Sequence, residues 1–146
     1  MPEVIAGILS VADIAVHAIT QGEVYVASQS GGTWSPNVWV DLPVTITVPD
    51  VPEGAKALCL FQSSMRADYA GHVFYLRCVV DDAPQLESTM TTESSGTGQY
   101  MPAACCAFVT GLSAGTHTFK VQAMCDNSVT NSYWSALRHI VAIMKR

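Results

Sequence analysis

His72-Val73-Phe74-Tyr75-Leu76-Arg77-Cys78-Val79-Val80 and Thr116-His117-Thr118-Phe119-Lys120-Val121-Gln122-Ala123-Met124-Cys125 decide how the rest of the chain is read. The first is β-branched or aromatic along most of its length and has no breaker, the composition that fits a pleated, half-buried surface. The second alternates with period two. His117, Phe119, Val121, Ala123 and Cys125 share one face, with Thr118, Lys120 and Gln122 on the other. That alternation predicts a strand with one side on a core.

Working outward, Asp81-Asp82-Ala83-Pro84 turns the chain, Gln85–Thr92 reads as an edge strand, and 93–98 reads as a loop. Ala103–Leu112 and Ala57–Phe61 are expected to be largely buried runs. Ser113-Ala114-Gly115 is a tight connection with Gly115 available for a positive φ. Upstream, Val44-Thr45-Ile46-Thr47-Val48 alternates and is expected to stop at Pro49-Asp50 and the Pro52-Glu53-Gly54 turn. Downstream, a polar loop over 126–131 leads to a last strand. It places Trp134, Ala136, Arg138, Ile140, Ala142 and Met144 on one face. Strands recur every 10–15 residues with polar turns between them and no amphipathic helix among them. This predicts an all-β fold, a jelly-roll-like antiparallel β-sandwich or an immunoglobulin-like one, with strand order left open.

The chain divides into 1–42, an N-terminal arm with first strands, and 43–146, the sandwich body. Ile5, Leu9, Ala12, Val16 and Ile19 follow helical spacing, while the β-branched content fits an extended arm equally well. Glu23–Ser28 and Thr33–Val40 read as two strands joined across 29–32. The apolar stretch Val4–Ile19 is 16 residues long and contains Asp13 and His17. A membrane-spanning helix needs about 20 apolar residues. A signal peptide needs preceding positive charge, so neither reading fits.

Of the 146 residues, 49% are hydrophobic and only 13% charged, with a net charge of −5. A typical soluble domain carries roughly a quarter charged residues. Low charge favours association, so an oligomer or a part of a larger assembly is expected. Seven scattered Lys and Arg form no basic stripe, which argues against nucleic acid and anionic membranes as partners.

No signature of an active site stands out. There is no nucleophile elbow, phosphate loop or dinucleotide fingerprint. His17, His72, His117 and His139 fall on separate elements and read as structural. Asp81-Asp82 reads as a plain turn before it reads as a Ca²⁺ ligand pair. Cys59, Cys78, Cys105, Cys106 and Cys125 form no C-x-x-C pair, and their spacing does not suit zinc. Most read as small buried hydrophobes. Disulfides between strands or subunits are the alternative, with the pairing open, and an odd count leaves at least one thiol free or paired between chains. No cofactor or metal is expected. Trp34, Trp39, Trp134 and the tyrosines, Tyr100 among them, could form a glycan platform, although an interface role suits Trp34 and Trp39 better.

The stretch Phe108–Gln122, with "TGLSAGTHTFKVQ" at its centre, followed by a polar loop and the apolar Ala136–Ile143, resembles small jelly-roll β-sandwich domains of bacteriophage structural proteins. These are capsid decoration (cement) proteins and tail-fibre tips. The likeness covers about 100 residues, from Val44–Pro49 onward. It implies a non-enzymatic virion protein, made in the host cytoplasm and carried on the extracellular particle, a homotrimer bound to a major capsid or other virion protein. It transfers no catalytic residue. On that reading Val4, Ile5, Ile8, Leu9 and Ile14 of the arm, with Trp34 and Trp39, form the assembly interface. Burying the five aliphatic side chains on a neighbour could contribute roughly 8–15 kcal/mol gross. The entropy of ordering the arm offsets part of that. The alternative is a tail-fibre tip or lectin-like module binding host-surface glycan. A small β-sandwich hydrolase or isomerase would need His117 or His72 beside a carboxylate in a cleft.

Overall fold

The computed structural model describes residues 19–67, 71–85, 90–93, 100–126 and 129–144. The expected arm residues Val4, Ile5, Ile8, Leu9 and Ile14 lie outside the described residues, as does most of the helical or extended stretch they belong to. Among the described residues every regular element is a strand. These are β1 (Ile19–Trp34), β2 (Val40–Asp41), β3 (Ile46–Val51), β4 (Ala55–Ala67), β5 (Val73–Val80), β6 (Ala83–Pro84), β7 (Met90–Glu93), β8 (Met101–Leu112), β9 (Gly115–Cys125) and β10 (Val129–Met144).

The strands form two sheets, and the recorded pairings are antiparallel. Sheet A has the order β1-β10-β4-β8. In sheet B, β9 pairs β2 and β3 on one side and β5 on the other, and β5 pairs β6 and β7 in turn. The chain changes sheet between β1 and β2, β3 and β4, β4 and β5, β7 and β8, β8 and β9, and β9 and β10. Each one-faced strand thus buries its apolar side against the opposite sheet. This is the jelly-roll-type β-sandwich that the alternation predicts.

The core lies between the sheets. Phe119, Val121, Ala123 and Cys125 of β9 face Ala57, Cys59, Phe61 and Met65 of β4 and Leu137, Val141 and Ile143 of β10 across it. Trp134 meets Phe74 edge-on, with centroids 6.1 Å apart, the arrangement aromatic quadrupoles prefer.

Several local expectations are corrected. Residues 19–34 are one long strand and not two joined across 29–32. The Gly31-Gly32 stretch is absorbed as register shifts against β10 between Ser30 and Trp34, where glycine accommodates a bulge. Pro49-Asp50 does not end its strand either. Asp50 takes a left-handed φ of 54°, the register shifts between Val48 and Val51, and Val51 returns to the core. The Ser113-Ala114 connection joins strands of different sheets and forms a corner between them. Gly115, at φ 135°, makes that corner. In β10 the face switches. Trp134 is buried, but so are Leu137, His139, Val141 and Ile143, while Arg138 faces out. The cause is a bulge between Ser135 and Arg138 against β4, where Ala136 adopts a φ of 52°. One extra residue moves every later side chain to the other face.

Candidate assembly face

The runs Ala57–Phe61 and Ala103–Leu112 are not buried throughout. Ala57, Cys59 and Phe61 point into the core, as do Ala103, Cys105 and Ala107, while the residues between them point outward. Leu60 is 42% exposed and Phe108 54%. Register then assembles the outer face of sheet A row by row. Ile140, Leu60 and Cys106 lie across β10, β4 and β8. Beside them run Ala142, Leu58 and Phe108, and on the other side Arg138, Gln62 and Ala104. A depression of about 350 Å³ opens among Leu60, Cys106, Arg138 and Ile140, and another of about 350 Å³ among Leu58, Gln85, Cys106 and Phe108. Strands β4, β8 and β10 contain no Asp or Glu at all, and their cations Lys56, Arg66 and Arg138 sit among apolar and small polar neighbours. In a chain of net charge −5, the outer face of these three strands is apolar with a positive fringe.

The outer side of sheet B is the opposite. The Arg77 Nε and Nη2 groups both donate to Gln122 Oε1, at 2.8 and 2.7 Å. Gln122 Nε2 donates to Asp41 at 2.7 Å. Lys120 reaches Asp82 at 2.8 Å and Asp41 at 3.5 Å. The Arg77 guanidinium lies 3.9 Å from the centroid of the Trp39 ring, a cation–π contact. Trp39 is therefore half-buried with one ring face occupied. Trp134, a candidate for the same platform, is in the core. The Trp34 side chain lies outside the described residues. Tyr100 is 53% exposed, and Arg66 lies 5.5 Å from its ring centroid.

The histidines sort by partner. His117 Nδ1 donates to Asp81 Oδ2 at 2.5 Å, and Nε2 donates to the Ser113 carbonyl at 2.9 Å. Two acceptors require two N–H groups, so the geometry calls for the imidazolium. The Ser113 carbonyl raises the His117 pKa, burial opposes this, and the bond and charge of Asp81 add to the rise. Burial pushes Asp81 up, but the Thr118 N–H and His117 outweigh it and hold the carboxyl below its ordinary value. The pair ties the left-handed Asp81-Asp82 turn to β9 and to the sheet-crossing corner. It does so with both ring nitrogens engaged, which leaves no nitrogen free to act as a base. His139 is fully buried. Nδ1 donates to the Val44 carbonyl at 2.6 Å and Nε2 finds no partner among the described residues. Burial lowers its pKa despite the Val44 bond, and it rests neutral.

Among the described residues, one group could hold a metal. His72, Cys125 and Asp126 offer ligand atoms within 4.8 Å of one another where β5 begins and β9 ends. Asp126 Oδ1 is already the acceptor for the Val73 N–H at 3.1 Å and the Cys125 thiol at 3.7 Å. These contacts account for the cluster as a strand-end clasp. All five cysteines are free thiols. Cys59, Cys78, Cys105 and Cys125 are buried, and Cys106 is exposed on the sheet A face.

No family model matches the sequence, and no curated relative matches it. Among solved structures, dimeric latent PorU from Porphyromonas gingivalis is similar over 88% of this chain, at a TM-score of 0.51 and 9% identity. The chain spans 13% of that protein. Infectious bursal disease virus of the Gx strain is similar over 88% of this chain and 37% of the other, at a TM-score of 0.45 and 8% identity. A calcium- and xylotriose-bound carbohydrate-binding module, CBM36, is similar over 82% and 97%, at 0.38 and 10%. The likeness is one of fold.

Proposed function

We propose that this chain is a non-enzymatic structural protein of a virion. Its specific role on this reading is that of a phage capsid decoration protein, stabilising the shell as a homotrimer seated on the major capsid protein. The observation that carries the reading is the apolar outer face shared by β4, β8 and β10 of sheet A, on strands without Asp or Glu. Three strands of 12 to 16 residues at about 3.3 Å per residue and about 4.8 Å between strands present several hundred Å². A standard interface takes about 800 Å² from each partner. The occupant is a second copy of the chain. On this reading the apolar face packs on a different surface of the neighbouring copy. A heterologous contact closes into a ring where its rotation allows, and a trimer is the smallest common one. The fully engaged His117 and the buried His139 support a non-catalytic role.

Light scattering of the full chain and of a Leu60→Lys/Phe108→Lys variant tests the assembly. A trimer mass that falls to monomer in the variant, with unchanged circular dichroism, supports the proposal. A native monomer, or a trimer indifferent to the variant, overturns it. Protein mass spectrometry of purified particles from the genome that encodes the chain tests the location. Presence at a fixed ratio to the shell protein is expected, and absence removes the virion role. Glycan-array binding lost on Tyr100→Ala, from a monomeric chain, would replace the proposal with the lectin-like alternative.

A further inference from the structure

We propose that Cys78 and Cys105 form a disulfide between the two sheets when the protein meets a low-molecular-weight disulfide such as oxidised glutathione. Cys78 lies on β5 of sheet B and Cys105 on β8 of sheet A, and their sulfurs are 3.7 Å apart in the core. A disulfide needs about 2.05 Å, so the sulfurs must close by roughly 1.7 Å. Rotation about the side-chain torsions and a small shift of β8 can supply this. β8 is the edge of sheet A, paired with β4, and so is the strand freer to move.

The other thiols are placed differently. Cys106 alternates to the outer face, away from Cys78. Cys125 sits at the far end of β9 against Asp126. Cys59 shares the core with the pair, but the direct sulfur contact is between Cys78 and Cys105.

Burial holds these thiols in their protonated form. Desolvation pushes Cys59 up to about 12. Cys105 is raised by its bond to Cys78 and by burial. Thiolate is scarce in the closed domain, so exchange runs through opening of the β8 edge or during folding. One cysteine thiolate attacks a glutathione sulfur and releases one glutathione thiolate. The second cysteine thiolate then attacks the mixed disulfide and releases the other. The pair gives up two electrons to the oxidant, and its two protons end on the two glutathione thiols. The product closes the chain between positions 27 apart and restrains the unfolded state. This inference does not depend on the assembly proposal.

The test uses the full chain carrying Cys106→Ala, which removes the exposed thiol. The protein is refolded in oxidised glutathione, alkylated in denaturant and weighed. The expected product has lost two hydrogens and takes up two alkyl groups, where the reduced form takes up four. Trypsin alone leaves Cys78 and Cys105 on one peptide, so it is combined with cleavage after Glu87 and Glu93, which puts Cys59, Cys78, Cys105 and Cys125 on separate peptides. The two fragments should travel as one until reduction, and the denaturation midpoint should rise. Full alkylation after refolding, or a cross-link mapped to Cys59 or Cys125, overturns the proposal. Cys59→Ala should retain the bond. If Cys78→Ala does not fold, the fragment map of the Cys106→Ala chain still decides.

Discussion

Replacing His117 by Gln tests the reading that an imidazolium fastens the corner between the sheets. The variant keeps a polar side chain of similar length but cannot donate to Asp81 and to the Ser113 carbonyl from one rigid ring. A hydrogen bond to a charged group contributes about 1.5–3 kcal/mol. The Asp81 side chain is 46% exposed, so water screens its share towards about 1 kcal/mol or less. The buried bond to Ser113 contributes the rest. A loss of about 1.5–2.5 kcal/mol follows, which for a domain of this size lowers Tm by about 4–8 °C.

The pH dependence has a definite sign. The folded pKa of His117 is raised above its ordinary 6.5. Its contribution is therefore complete below 6.5 and lost as pH rises through the folded value. The Asp81 pKa is lowered from 3.8, so its contribution is present above 3.8 and lost as pH falls through the folded value. His139, lowered from 6.5 by burial, contributes above 6.5 and loses that contribution as pH falls. It is common to both proteins and cancels in their difference. Urea melts of native chain and variant, at about pH 5.5 and about pH 9, should show a gap that narrows as pH rises. A gap that is flat or widens with pH would falsify the imidazolium assignment.

Two further changes probe the packing of each sheet. A Cβ at Gly22 on β1 would meet Ile46 Cγ2 of β3 at 2.6 Å, so Gly22→Ala should cost about 1–3 kcal/mol. Ile46→Ala removes the obstructing carbon, and the double variant should lose less than the sum of the singles in chemical melts; strict additivity would refute the contact. Arg77→Ala uncovers the Trp39 ring and removes both donors to Gln122. It should cost about 1 kcal/mol and shift the Trp39 emission to longer wavelength, measured against a Trp39→Phe reference. An unmoved emission would mean the guanidinium does not cover the ring in solution.

Much of the fold was legible because period-two alternation is a local property. Phe119, Val121 and Ala123 face the core as the pattern of β9 requires. The bulges were not legible. Nothing in Ser135-Ala136-Leu137 marks a left-handed residue, since alanine at a φ of 52° is held there by the surrounding pairing and not by its own preference. The Asp81–His117 latch was also hidden. Its members are 36 positions apart, and only the pairing of β5 with β9 brings the turn beside the strand.

The misreading of Ala57–Phe61 and Ala103–Leu112 bears most on function. A continuous apolar run describes either a strand buried on both sides or an antiparallel strand whose outward face is also apolar. These strands lie in an antiparallel sheet with a core on one side only, so the first alternative fails. Leu58, Leu60, Cys106 and Phe108 are then apolar side chains directed at solvent in two adjoining rows. Their cost in water is the driving force for covering them, at about 1 kcal/mol for each half-exposed Leu or Phe. A sequence that had only to stay soluble would place Thr, Lys or Glu at these positions, as β9 does with Thr118, Lys120 and Gln122. The contrast between the two outer faces of one sandwich therefore argues for a surface built to be covered, and it is independent of the resemblance to virion proteins.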